Sequence, residues 1–373
     1  MKKKKAAKAA PKKIDSSAKN TTPKKKSSSA KALESFTEEE KKKFPTFIIV
    51  VGTSAGGLDA LMELTSQFKE GLDAAVFIVM HLARTSINDF LVHKLQPHTT
   101  FKCEIAQDNT AIKKGHIYIS GPNQHLLVKK NKIILGCGPE ENRWRPSIDV
   151  LFRSAAAAYS TRSIAIILTG LLDDGTSGMS AIKRSGGKSI VQDPNEAEYP
   201  DMPLSVINTM EVDYCVPLNK MGQIVLDITK TNPKEIPAPP DVMIESEIAE
   251  RVVVTYENVK NLGDSSIYAC PDCGGGLWDI STKDGKANRY RCHIGHSYSE
   301  KDLVLKQGEI LESTLWTALR IMEERRNLLM KMEIDSTQKG YSKLASGYKE
   351  KGDAIQFHVD KMKEVLFDTQ RLL

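Results

Sequence analysis

Phe47-Ile48-Ile49-Val50-Val51 runs without a polar residue into Gly52-Thr53-Ser54-Ala55-Gly56-Gly57-Leu58, and few chain paths accommodate that junction. An apolar, largely β-branched run of this length is a strand, and the glycines that follow allow a sharp turn into a helix. Gly52, Ser54 and Gly56 fit the G-x-S-x-G elbow, which leaves a serine hydroxyl and neighbouring backbone N–H groups facing a substrate. The same strand, loop and helix could instead cradle a phosphate. The dinucleotide fingerprint fails, because Ser54 stands at its second glycine, and no Gly-Lys-Ser/Thr follows as a P-loop requires.

Downstream, strands and helices alternate. A strand over 46–51, a helix over 57–68, a strand over 74–80 and a helix starting near Ser86 give the rhythm of βαβ units. The stretch from Phe101 to Leu135 reads as an antiparallel insertion, with Gly115–Ile119 and then His125–Val128 paired to Ile133–Leu135. The alternation resumes with a helix over 147–159, a strand over 164–168, a helix over 178–184, a strand over 189–191 and a helix over 203–210. The expected fold is α/β: a doubly wound, mostly parallel sheet with a small antiparallel insertion, then a zinc-ribbon-like module and a C-terminal helical hairpin. Sites in such sheets form at the carboxyl ends of the strands.

Two further groups occupy such ends. His81 follows the apolar run Ala75–Met80, and Asp173-Asp174-Gly175 follows the run Ile164–Leu168. A serine hydroxyl needs a base, and the base an orienting carboxylate, so Ser54, His81 and one of the two aspartates form a candidate triad. Each also has a plainer reading, a structural histidine and a turn or helix cap. The order Ser, His, Asp departs from that of α/β-hydrolases.

Of 373 residues, the first 43 hold fifteen lysines against five acidic residues, so the overall charge of +6 conceals a remainder near −4. This Lys/Ala/Ser-rich tail is expected to be disordered and solvated; contact with nucleic acid, anionic lipid or acidic proteins is the competing use. No run reaches the roughly 18 apolar residues of a membrane span, and the lysine-rich start lacks a signal peptide's apolar segment. The cytoplasm is the expected compartment.

Val51–Gly57, Met80-His81, Arg145–Phe152 and Leu168–Met179, with Gly121–His125 and Met202-Pro203, together resemble the catalytic domain of chemotaxis protein-glutamate methylesterases (CheB) over about residues 45–230. The resemblance implies hydrolysis of glutamyl methyl esters on chemoreceptors with release of methanol, and in some members deamidation of glutamine. It makes Ser54 the nucleophile, His81 the general base and acid, Asp174 the orienting carboxylate with Asp173 only its neighbour, and the N–H groups of Ala55 and Leu171 the oxyanion donors. No catalytic cofactor is implied. Leu171 replaces the family's usual methionine, which a main-chain donor tolerates. Met80-His81-Leu82-Ala83 replaces Gln-His-Met-Pro, so the demethylated protein can differ. The receiver domain of the best-known members has no counterpart in the tail, and phosphorylation control of that kind is not expected.

Beyond a proline-rich linker over 232–245, Cys270-Pro271-Asp272-Cys273 is a thiolate knuckle, and Cys292 with His296 supplies a second pair, His293 competing for the fourth place. A structural Zn²⁺ in a module over 246–298 is expected, since four protein ligands leave no site for water. Cys103, Cys137 and Cys215 read as buried thiols. From 299 to 373 the pattern is helical: Leu311, Leu315, Ala318, Met322 and Leu329 form one stripe, and Leu344, Tyr348, Ile355, Val359, Met362 and Leu366 another, with a turn in 335–340. The hairpin is expected to dock, or to pair two copies. Expected partners are a methylated chemoreceptor-like protein and a chemotaxis methyltransferase or signalling protein, with nucleic acid not expected. The competing function is a catalytically silent adaptor that binds through the ribbon, helices and tail.

Overall fold

The computed structural model describes residues 44–81, 89–251, 260–281 and 288–370. The lysine-rich tail and the helix start expected at Ser86 lie outside the described residues.

Strands β1 (Phe47–Thr53) and β2 (Ala74–Met80) pair in parallel, flanked by helix α1 (Gly57–Ser66) and the short helix α2 (Phe90–Leu95). Strands β3 (Lys102–Ile105) and β4 (His116–Ile119) add to the β2 side of this sheet, whereas β5 (His125–Lys129) and β6 (Lys132–Gly136) form a separate antiparallel hairpin. Helix α3 (Ile148–Tyr159), β7 (Ser163–Ile167), α4 (Thr176–Arg184), β8 (Lys188–Gln192), α5 (Asp201–Thr209), β9 (Tyr214–Val216) and α6 (Leu218–Thr229) complete the unit. The sheet order is β3-β4-β2-β1-β7-β8-β9, parallel at every described pairing.

β1 is buried along its whole length, and its side chains alternate between two cores. Ile48 and Val50, with Phe77 of β2, face Leu151, Phe152 and Ala155 of α3 and Met179 and Ile182 of α4. Phe47, Ile49 and Val51 face Leu61 and Leu64 of α1 and Met221 and Val225 of α6. This period-two division makes β1 rigid up to its carboxyl end.

Four boundaries differ from expectation. The antiparallel insertion is confined to β5 and β6, because β4 carries apolar residues that complete the sheet beside β2. β9 and α6 lack a long apolar run in sequence and were not anticipated. α4 starts at Thr176 rather than Gly178, since Gly175 at φ 100° caps it. The proline-rich segment gives way to helix α7 (Pro240–Arg251), where proline suits a first turn and Val242, Glu245 and Ile248 are buried.

Strands β10 (Asp264–Ala269), β11 (Gly276–Asp279), β12 (Arg289–Cys292) and β13 (Ser297–Ser299) form an antiparallel sheet around Cys270, Leu277, Tyr290, Cys292, Tyr298 and Leu303. Ser299 caps helix α8 (Glu300–Gln338) by accepting from the Asp302 N–H at 3.2 Å. Helix α9 (Ser342–Gln370) returns along α8 after a turn at Gly340, φ 80°. Leu319, Val359 and Leu366 are buried between them, with Leu315, Met322, Ile355 and Met362 beside. Leu311 and Leu344 of the expected stripes are exposed instead, and Ala345 is buried where the helices approach. Of the thiols expected to be buried, Cys103 is; Cys137 and Cys215 are exposed.

Candidate active site

The register of β1 against β2 sets Thr53 opposite Met80, so Ser54 and His81 are the next residues off adjacent parallel strands, whose spacing is about 4.8 Å. The His81 N–H donates to Thr53 O at 3.1 Å, extending the ladder one step. On the other side of β1, the loop after β7 is drawn against the elbow: Ser54 N–H donates to Thr169 O at 3.1 Å, and Thr53 Oγ1 to the same carbonyl at 2.7 Å. Gly170 is required there, since a Cβ would stand 2.9 Å from Ser54 Cβ and 2.1 Å from Met202 Sδ. The Ala55 and Leu171 N–H groups have no backbone carbonyl partner among the described residues. The Leu171 side chain is open to solvent.

Asp174 Oδ2 lies 2.9 Å from His81 Nε2. The carboxylate also accepts from Ile148 N–H at 2.7 Å, Ser147 Oγ at 2.9 Å, Asn142 Nδ2 at 3.0 Å and Asp149 N–H at 3.2 Å. It therefore sits on the N-terminus of α3, where anions are favoured. Burial alone would raise its pKa, but the His81 hydrogen bond and charge, followed by the Ile148 N–H and the Asn142 amide, hold it below the ordinary value. An ionised Asp174 requires the proton on His81 Nε2, leaving Nδ1 as the acceptor. Nδ1 is buried and has no hydrogen-bond partner among the described residues. Asp173 lies beside Ser299 and Asp302 and does not contact His81 among the described residues.

Further groups surround this triad candidate beyond those expected from the sequence. Trp144 stacks on His81 with ring centroids 3.9 Å apart and 6° between planes. His125, buried, donates from Nε2 to Pro139 O at 2.8 Å and accepts from Ser147 N–H at 3.2 Å, an arrangement that requires the neutral ring. Burial lowers its pKa in the same sense. Asn142 Nδ2 bridges Asp174 and Asp149, the latter at 2.8 Å. The signal available was Ser147 followed by Asp149 ahead of the Ile148–Tyr159 run, a helix-start pattern. Behind this shell lies a buried ionic group: Glu141 pairs with Arg153 and with Arg291 at 2.8 Å, and Glu245 accepts from Arg289 at 2.8 and 3.2 Å and from Arg291 at 3.2 Å.

A second cluster lies in the four-stranded sheet. The ligand atoms of Cys270, Cys273, Cys292 and His296 all fall within 4.8 Å of one another. Cys270 Sγ is 3.7 Å from His296 Nδ1, Cys273 Sγ 3.7 Å from Cys292 Sγ, and Cys292 Sγ 3.5 Å from His296 Nδ1. Bonds of about 2.0–2.3 Å to a tetrahedral ion place ligands about 3.5–3.8 Å apart, so this donor set fits Zn²⁺. His293 lies instead against Gly275, outside the cluster.

Residues 49–225 match the family described as CheB methylesterase. A protein of Leptospira interrogans (strain Fiocruz L1-130), provisionally named a protein-glutamate methylesterase/protein-glutamine glutaminase, is 36% identical over 185 residues, 49% of this chain and 95% of the relative. A protein-glutamate methylesterase/protein-glutamine glutaminase 2 of Methanosarcina mazei is 32% identical over 191 residues, 49% of this chain and 52% of the relative. A crystal structure of the Thermotoga maritima CheB methylesterase catalytic domain aligns at 28% identity and TM-score 0.47, covering 49% of this chain and 98% of that one.

Proposed function

The chain belongs to the CheB methylesterase family, and we propose that it is a serine hydrolase that cleaves glutamyl methyl esters on a methylated chemoreceptor-like protein, releasing methanol. The observation that carries the proposal is the His81 ring, bonded through Nε2 to a fully satisfied Asp174 and buried at Nδ1 with no partner among the described residues, one strand from Ser54. Ser54 Oγ attacks the ester carbonyl as Nδ1 takes its proton. The Ala55 and Leu171 N–H groups receive the oxyanion, each such donor contributing about 3 kcal/mol to the barrier reduction. The imidazolium returns the proton to the departing methoxide, and water, activated by the same nitrogen, hydrolyses the acyl-enzyme. A glutamine side chain would reach the same acyl-enzyme with ammonia leaving, which is the second activity named in the relatives. No step calls for a cofactor.

The adaptor reading has no comparable support, because a scaffold has no use for an imidazole oriented in this way. Release of methanol from methylated receptor is expected for the parent chain and absent in Ser54→Ala; equal release by both removes Ser54 as the nucleophile.

In the same proposal Cys270, Cys273, Cys292 and His296 hold a structural Zn²⁺, supported by their tetrahedral spacing. Among the described residues no helix is long and apolar enough to cross a membrane, which fits a cytoplasmic setting beside a receptor's cytoplasmic segment. The α8/α9 hairpin keeps Ile321, Leu328 and Phe357 exposed, and it would carry dimerisation or a signalling partner such as a chemotaxis methyltransferase.

A further inference from the structure

Asn142 has a role that esterase chemistry by itself does not explain. It is buried in a left-handed conformation, φ 49°, and its side-chain amide reaches both Asp174 and Asp149. Its main-chain N–H donates to Ser297 O of β13 at 2.9 Å, so the residue spans the gap between the four-stranded sheet and the carboxylate that orients His81. Its neighbours repeat the pattern. Glu141 is held by Arg291 of β12, while Trp144, tied to Glu141 by two backbone hydrogen bonds of 3.0 and 3.2 Å, lies flat on His81. Arg291 is wholly buried, and its two terminal nitrogens go to Glu141, Glu245 and the Gly295 carbonyl at 3.0 Å. A planar fork of this kind fixes direction as well as distance.

We propose that the four-stranded sheet is an intramolecular clamp on the triad, in which Arg291 and Asn142 are positioning residues that hold Asp174 and His81 in line through the 141–144 turn. The proposal rests on Ser54, His81 and Asp174 forming the triad. A displacement of about 1 Å at such a site costs on the order of 100-fold in rate. Loss of the clamp therefore acts on the rate of Ser54 attack and leaves substrate affinity alone.

The test uses the full chain and a fluorophosphonate probe. Ser54 Oγ forms a bond to phosphorus, fluoride leaves, and His81 takes the hydroxyl proton, so labelling reports nucleophile activation whatever the natural substrate is. Arg291→Met and Asn142→Gly are compared with the parent, glycine being at ease at positive φ. Both are expected to lower the limiting labelling rate by about 10- to 100-fold with the half-saturating probe concentration within about twofold. Arg291→Lys, which keeps the charge without the fork, recovers part of the loss. Parent-like rates in both variants overturn the clamp. So does a fall in the labelled fraction at an unchanged rate constant, the mark of a folding defect. If Arg291→Met does not fold, Asn142→Gly decides, since it removes only one methylene and its carboxamide at a position whose φ glycine accepts. Methanol release by the parent is followed in parallel. A parent labelled at Ser54 that releases no methanol refutes the ester assignment while the labelling rates still judge the clamp; a parent that is not labelled refutes both.

Discussion

Every residue of β1 is buried, and the strand feeds two apolar cores assembled from helices on both faces. Among the described residues the four-stranded sheet has one small cluster, Cys270, Leu277, Tyr290, Cys292, Tyr298 and Leu303, and a smaller one of Trp278 and Ile280, and Ile267 of β10 is almost fully exposed. Two such small clusters are too little to offset the entropy of ordering the module, so it depends on cross-links of another kind. Two can serve: a metal ion, which Cys270, Cys273, Cys292 and His296 could hold, and the buried pairing of Arg289 and Arg291 with Glu141 and Glu245. Neither helps unless complete, because a buried charge deprived of its partner is more costly than no charge. The parallel sheet thus supplies a rigid edge for Ser54, His81 and Asp174 by packing, and the small sheet contributes by polar contacts that fail together.

The largest effect that would sharpen this contrast lies at the rigid edge. Asp174→Asn keeps the shape but cannot accept all the donors around it, and its neutral amide no longer fixes the proton on His81 Nε2. Methanol release should fall by about 10³-fold or more, and the melting temperature should drop by several degrees because buried donors lose their acceptor. A loss below about tenfold would mean that Asp174 is a cap for α3 and nothing else.

Next comes the metal. In the full chain, a chelator is expected to expose amides in residues 264–299 to hydrogen exchange while those of 47–53 and 74–80 keep their protection. Unchanged protection in 264–299, with no metal in the purified protein, would leave the small sheet standing on its ion pairs alone.

The same substitution in each sheet probes packing directly. Leu61→Ala in the large core should cost about 3 kcal/mol and lower the main thermal transition. Leu277→Ala removes a similar side chain from a cluster of six, and the expected result is a separate, earlier transition with the main one in place. A single transition shifted equally by both would show the two sheets to be one cooperative unit.

How much of this could be read from the chain follows the same division. Ser54, His81 and Asp174 each stand at the end of an apolar run and carry a local signature, and the alternation of runs announces the parallel sheet. The four metal-ligand candidates are legible from spacing. Glu141, Arg153, Glu245, Arg289 and Arg291 are not, because each resembles a solvated charge in its own neighbourhood and becomes a buried pair only when distant segments meet. Asn142 and Trp144 are hidden for the same reason. Strands β3 and β9, four and three residues long, are too short for periodicity to mark them.

The smallest predicted effect is at the seam between the two regions, where Asp302 of α8 faces Asp173 in the loop that carries Asp174. Burial first, and the Asp173 charge second, push Asp302 up to about 7 against the hydrogen bond from Ser299, with Asp174 adding in the same direction. Asp173 is raised as well, with Lys301 opposing. The folded chain therefore holds a proton that the unfolded chain, with an ordinary carboxyl near 3.9, releases earlier. Stability from this site is present below about pH 4 and is lost as pH rises towards 7. Asp302→Asn keeps an acceptor for the Ser299 hydroxyl and removes the titration. It should melt a few degrees above the parent at pH 8, the gap narrowing towards pH 5. A gap that stays constant with pH, or has the opposite sign, would mean that the two acids do not oppose the contact between α8 and the loop bearing Asp174, and that the seam is as well matched as the core of the large sheet.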